Sequence, residues 1–171
     1  RSKVFPQSLE KAEPGGTILQ TPAESAPMLT RWRMNLKTGA VREERIDDLP
    51  AEFPRQRDDW MGRKARYAYL AALNMQGLVK YDLARGGRLL HPHGKARQGG
   101  EGVFVPRAGG SEEDDGWVLT YVYDADARRS ELVVVDARNF AAPPAARILI
   151  PARIPFGFHA LWIDGGTMAT A

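Results

Sequence analysis

From residue 29 onward the chain alternates. Thr30, Trp32, Met34 and Leu36 fall on one side of an extended backbone, and Leu29, Arg31, Arg33 and Asn35 fall on the other. That two-residue period is the mark of a half-buried strand. Lys37-Thr38-Gly39 supplies a turn whose glycine tolerates positive φ, and residues 41–46 return as a second strand, predicting a β-hairpin. Further strands are predicted at residues 66–73, 78–83, 88–90, 103–105, 117–123, 131–135, 147–150 and 160–163. Gly86-Gly87, the acidic stretch 111–116 and the polar turn 124–129 punctuate them. No apolar stripe with the 3.6-residue helical period stands out, so the expected architecture is all-β and antiparallel. Two hairpins share a strand, an Asp-containing turn and a returning strand, at 80–89 and 122–133. This echo suits the repeated sheets of a propeller and suits a β-sandwich about equally.

The first 27 residues differ. Pro6, Pro14-Gly15-Gly16, Pro22 and Pro27 interrupt every periodic segment there, and Thr17-Ile18-Leu19 is the one short strand candidate. Organisation therefore reads as an irregular segment over 1–27, a β-rich domain over 28–163 and a tail over 164–171.

Composition narrows the chemistry. The 171 residues suffice for one ordinary domain. The absence of cysteine excludes disulfides, thiol catalysis and cysteine-bound metals, and suggests a reducing compartment. The net charge of +3 is spread among acidic neighbours, which argues against a nucleic-acid partner. No run approaches the roughly 18 apolar residues of a membrane helix.

Only three histidines exist. His91 and His93, in Leu90-His91-Pro92-His93-Gly94, could clasp a metal, but Pro92 and Gly94 mark a loop without a nearby carboxylate or third ligand. The pair reads as a solvated turn. His159 lies in an apolar stretch, Ile154-Pro155-Phe156-Gly157-Phe158-His159-Ala160-Leu161-Trp162. On composition alone it is either a hydrogen-bonded core residue or a metal ligand. Glu52 and Glu101 each sit at the mouth of an apolar strand. Such a carboxylate is a surface or turn group, or an acceptor that orients a metal-bound imidazole. The run 112–115 is a solvated acidic loop, because its acids are consecutive rather than spaced as a Ca²⁺ loop requires.

Eight stretches in order resemble the C-terminal part of the carotenoid cleavage oxygenase family. They include Glu52-Phe53-Pro54-Arg55, Gly77-Leu78-Val79-Lys80-Tyr81-Asp82, Gly100-Glu101-Gly102-Val103-Phe104-Val105-Pro106-Arg107 and Ile154-Pro155-Phe156-Gly157-Phe158-His159-Ala160-Leu161. The resemblance covers residues 28–163. It implies about the last two to three blades of a seven-bladed β-propeller whose axis carries Fe(II) on four histidines, three of them hydrogen-bonded by outer glutamates. By motif, His159 resembles one iron ligand, Glu101 and Glu52 resemble two of the outer glutamates, and Phe158 is a candidate lining residue of the substrate tunnel. The implied reaction splits a C=C bond of an apolar conjugated substrate, a carotenoid, apocarotenoid or stilbene, with O₂ to give two carbonyl products.

The other three ligands have no counterpart here, so this chain by itself is expected to be inactive and to need the N-terminal blades as its partner. A truncated, non-catalytic binding or structural module is the alternative. The expected location is the cytoplasm, and peripheral membrane contact stays open because such substrates dissolve in lipid.

Overall fold

The structure, a computed structural model, describes residues 26–72 and 75–168. The strand candidate at 17–19 lies outside them. Among the described residues ten strands form: β1 (Met28–Met34), β2 (Val41–Arg55), β3 (Tyr67–Ala72), β4 (Gly77–Asp82), β5 (Arg88–Pro92), β6 (Arg97–Gly99), β7 (Val103–Pro106), β8 (Gly116–Asp124), β9 (Arg129–Asp136) and β10 (Ala146–Ile150). They make two antiparallel sheets. The first runs β1-β2-β3-β4-β5, and the second runs β10-β9-β8-β6 with β7 also paired to β8. All-β antiparallel architecture is what the alternation predicted, and two sheets sit at the lower end of the expected two to three blades.

The core lies in the seam between the sheets. Alternate residues of β3 and β4, such as Tyr69, Ala71 and Leu78, meet Phe104, Val118, Val122, Val133 and Val135 from the second sheet and Phe140 from the loop between β9 and β10. The Tyr69 ring stacks on Phe104 with centroids 5.5 Å apart. The opposite face of β3 and β4 buries Ala68, Leu70, Val79 and Tyr81 against Ile46 and Leu49 of β2. These central strands are covered on both sides, whereas β8 and β9 bury one face and leave Tyr121 exposed on the other. The outer edge, β10, exposes Ile148 and Leu149.

Four expectations need correction. The second strand does not stop at residue 46. β2 continues to Arg55, pairing with β1 through its first half and with β3 through its second. The polar Asp47-Asp48 pair and the prolines at 50 and 54 hid this continuation; a register shift between Glu52 and Arg55 accommodates the missing N–H of Pro54. Residues 160–163 form no strand; they run irregularly, with Leu161, Trp162 and Ile163 exposed and no partner strand beside them among the described residues. The acidic loop is docked rather than merely solvated. Buried Glu113 accepts the backbone N–H groups of Arg66 (2.8 Å) and Tyr67 (2.7 Å), and Asp114 pairs with buried Lys80 at 2.8 Å. Finally, His91 and His93 are not a solvated turn: they are 2% and 3% exposed.

Candidate functional site

The site is assembled from three chain segments. Glu101 follows β6 in a Gly-Glu-Gly turn that Thr120 of β8 fixes. The Thr120 hydroxyl donates to the Gly100 carbonyl (3.2 Å) and accepts the Gly100 N–H (3.3 Å). Gly102 is required by close approach, since a Cβ there would lie 2.9 Å from a Val118 methyl. The Glu101 side chain is thereby driven inward and is only 3% exposed. An inward carboxylate must find donors.

Those donors come from the strap 153–160 and from the end of β2. Glu101 Oε2 accepts the Ala160 N–H at 2.7 Å. Glu101 Oε1 lies 3.3 Å from His159 Nδ1 and 3.5 Å from Arg55 Nη1. Because a carboxylate only accepts, this contact assigns a proton to Nδ1, and in the neutral imidazole Nε2 is then the lone-pair nitrogen. Arg55 also donates to the Ala160 carbonyl at 3.2 Å, and its second nitrogen forks onto Asp58 at 3.1 and 2.9 Å. The Ala160 peptide is thus held at both its N–H and its C=O. Upstream, the Ile154 N–H donates to Ser130 Oγ at 2.9 Å, and the Arg153 guanidinium stacks 3.6 Å over the Tyr123 ring.

The bulge in β2 completes the arrangement. Phe53 adopts φ 56°, a left-handed conformation costly for a residue with a Cβ. Its ring meets the His159 ring edge-on, with centroids 5.7 Å apart. A bulge re-aims side chains that a regular ladder would turn away. Here Phe53 and Arg55 both reach the His159 segment. Sequence reasoning gave neither a role; the signal that could have found them was Pro54 inside a strand-like run.

Of the predicted site residues, the structure unites His159 and Glu101. The imidazole is nonetheless 74% exposed, so it is not a core histidine. Phe158 is also exposed and lines, with His159, Phe156, Tyr121 and Tyr123, a largely apolar cleft of about 230 Å³. Glu52 sits opposite Ala71 on the β2–β3 ladder, half-buried, and makes no hydrogen bond or ion pair among the described residues.

His91 and His93 form the opposite kind of environment. His91 Nδ1 lies 3.1 Å from the Phe140 carbonyl, but His91 Nε2 and both nitrogens of His93 are buried without a hydrogen-bond partner among the described residues. Their ring centroids are 6.3 Å apart. A Cβ on Gly99 would lie 2.2 Å from His93 Nε2, so backbone closes off that nitrogen. Burial, reinforced by the neighbouring His91, Arg97 and Arg147, pushes the His93 pKa down to about 3. His91 is lowered as well, chiefly by burial. Among the described residues, no group of three or more His, Asp or Glu could hold a metal ion. His159 offers a single oriented nitrogen.

Comparison with known proteins places this geometry. Residues 2–164 match the family described as retinal pigment epithelial membrane protein (RPE65). The carotenoid 9,10(9',10')-cleavage dioxygenase 1 of Phaseolus vulgaris is 33% identical over 168 residues, covering 87% of this chain and 31% of the relative. The apocarotenoid-15,15'-oxygenase of Synechocystis is 35% identical over 167 residues, covering 91% and 34%. Among solved structures, a cobalt-substituted Synechocystis apocarotenoid oxygenase superposes with a TM-score of 0.76 at 34% identity, over 80% of this chain and 30% of that one. The chain therefore spans about a third of the length of these relatives. Its two sheets are part of a β-propeller, and the chain belongs to the retinal pigment epithelial membrane protein family, that of the carotenoid cleavage oxygenases.

Proposed function

We propose that this chain forms the C-terminal blades of an Fe(II)-dependent dioxygenase that cleaves a C=C bond of an apolar conjugated substrate, a carotenoid, apocarotenoid or stilbene-like molecule, into two carbonyl products. The observation that carries the reading is the Glu101–His159 pair. Glu101 holds Nδ1–H, so Nε2 is the nitrogen left to face a metal, in a direction the carboxylate fixes. The donor set fits iron as one ligand of several, since neutral imidazole suits that metal. Fe(II), when bound, would supply the open coordination positions at which O₂ is activated beside the substrate alkene.

The protein's own contribution is positional. Glu101 keeps the His159 tautomer and ring direction. Phe53 packs on the ring edge and restricts its rotation. Phe156 and Phe158 present apolar surface beside the imidazole, suited to a hydrocarbon chain and to keeping water out. Glu52, whose carboxylate has no partner among the described residues, is the acceptor for a second iron-bound imidazole supplied from outside this chain. One imidazole binds a metal weakly, because affinity comes from several pre-positioned ligands. The 171-residue chain alone is therefore inactive, and works only with the blades that carry the remaining histidines. Its workplace is the cytoplasm, with the apolar residues beside His159 available to a lipid surface that holds the substrate.

The test is a chimera. Residues 28–163 replace the corresponding part of the Synechocystis apocarotenoid oxygenase, and the product is loaded anaerobically with Fe(II). A folded chimera should bind iron stoichiometrically and convert an apocarotenal into two carbonyl fragments, and His159→Ala should abolish both. A folded chimera that holds no iron, or a His159→Ala variant that keeps it, overturns the proposal. Stoichiometric iron in the isolated chain would overturn the claim that one histidine is insufficient.

A further inference from the structure

The Glu52-Phe53-Pro54-Arg55 stretch contains a side chain that reaches the His159 segment more directly than Glu52 does. Arg55 is one-fifth exposed, and its guanidinium bridges three groups: the Ala160 carbonyl at 3.2 Å, Glu101 Oε1 at 3.5 Å and Asp58 at 2.9 Å. Each bond constrains a different degree of freedom. Asp58 takes Nη2 alone, between its two carboxylate oxygens at 3.1 and 2.9 Å, and anchors one corner of the planar guanidinium. From that plane, Nη1 meets both the carbonyl of the residue after His159 and the carboxylate oxygen that accepts His159 Nδ1–H.

We propose that Arg55 is a positioning residue for the His159 imidazole. It fixes the Ala160 peptide and keeps Glu101 Oε1 facing Nδ1, and so holds the tautomer that leaves Nε2 free. The alternative source of rigidity is weak. The ring is 74% exposed, and residues 160–163 have no sheet partner. Without Arg55, Glu101 would hold the Ala160 peptide by its N–H alone and meet the ring only through the 3.3 Å contact to Nδ1, leaving the carbonyl side of the peptide unrestrained. The β2 bulge serves this purpose: a regular ladder through Pro54 would not bring Arg55 and Phe53 to one segment. The step from a fixed Nε2 to a metal rests on the proposed function; the claim about the tautomer does not.

The experiment uses the full chain, ¹⁵N-labelled and metal-free, at about pH 8.5. The ring-nitrogen spectrum of His159 gives its tautomer, and amide exchange gives the protection of Ala160. The wild type should show His159 in the Nδ1–H form. Arg55→Met should turn this into a mixture of tautomers and speed Ala160 amide exchange about tenfold or more, the effect of losing a charge-assisted hydrogen bond. Arg55→Lys keeps the charge without the fork and should fall between the two. If Arg55→Met fails to fold, Arg55→Lys and Asp58→Asn carry the same readouts. Folded variants that retain the wild-type tautomer and Ala160 protection overturn the proposal, even if their melting temperatures fall, because a purely structural arginine would behave that way. No metal enters this measurement, so its failure and that of the iron chimera are told apart.

Discussion

The two histidine environments of this chain are opposites, and each is the reverse of its sequence context. His91 and His93, flanked by proline and glycine, are buried, with three ring nitrogens unpartnered among the described residues. His159, set among phenylalanines and leucine, is exposed, with one nitrogen held by Glu101 and the other open. Burial lowers an imidazole's pKa and fixes the ring, but backbone packed against the nitrogen leaves no room for a ligand. Orientation by one carboxylate, with the far nitrogen free, is what suits a ligand. The difference is between a histidine used as a wall and one used as a pointer.

That contrast can be broken from several directions. The largest effect should come from Phe140, which accepts His91 through its carbonyl and packs its ring against both His91 and Tyr69. Phe140→Ala should cost about 3–5 kcal/mol in denaturant unfolding, the range for deleting a buried aromatic ring. Gly99→Ala comes next. Its Cβ collides with His93 Nε2, and overpacking of this kind costs about 1–3 kcal/mol. A thermal melt of that variant would show whether the wall is as tight as the geometry indicates.

Acid gives a graded third test. Burial pushes the His93 pKa down to about 3 from the ordinary imidazole value of 6.5, so the unfolded state binds more protons between those values. Its contribution to stability is full above pH 6.5 and is lost as pH falls toward 3. This one group contributes a slope of up to about 1.4 kcal/mol per pH unit in that window. His93→Leu removes the titrating group and its two unpaired nitrogens. Unfolding curves at pH 7 and pH 5 should then differ less than in the wild type; an unchanged difference would mean that His93 is protonated in the native state. The smallest effect belongs to the pointer. His159→Ala should change the stability of this chain by no more than about 0.5 kcal/mol, as expected at an exposed position. A larger loss would show that the imidazole holds the fold together.

Much of the fold was legible because it depends on near neighbours. Residues 117–123 and 131–135 alternate, are joined by a polar turn, and pair as β8 and β9 as expected. Glu101 and His159 were also legible, as motif positions, and they do meet. What escaped were the contacts made by polar residues in plain settings. Glu113 looked like one acid in a solvated run, yet it accepts two backbone N–H groups at the start of β3. Arg55 looked like the end of a short motif, yet it lies between Glu101 and Ala160. Neither has a local signature, since the partners are 46 or more residues away along the chain.

By itself the sequence determined most of the strands and their turns, the antiparallel class and the two residues that pair beside the cleft. These follow from side-chain periodicity, from the φ preferences of glycine and proline, and from motif order. Tertiary structure alone decided which histidines are buried, how far β2 runs, and which arginine steadies the His159 segment. Burial and ion pairing depend on what the second sheet places opposite each residue, and that surface exists only once the two sheets have closed on their seam.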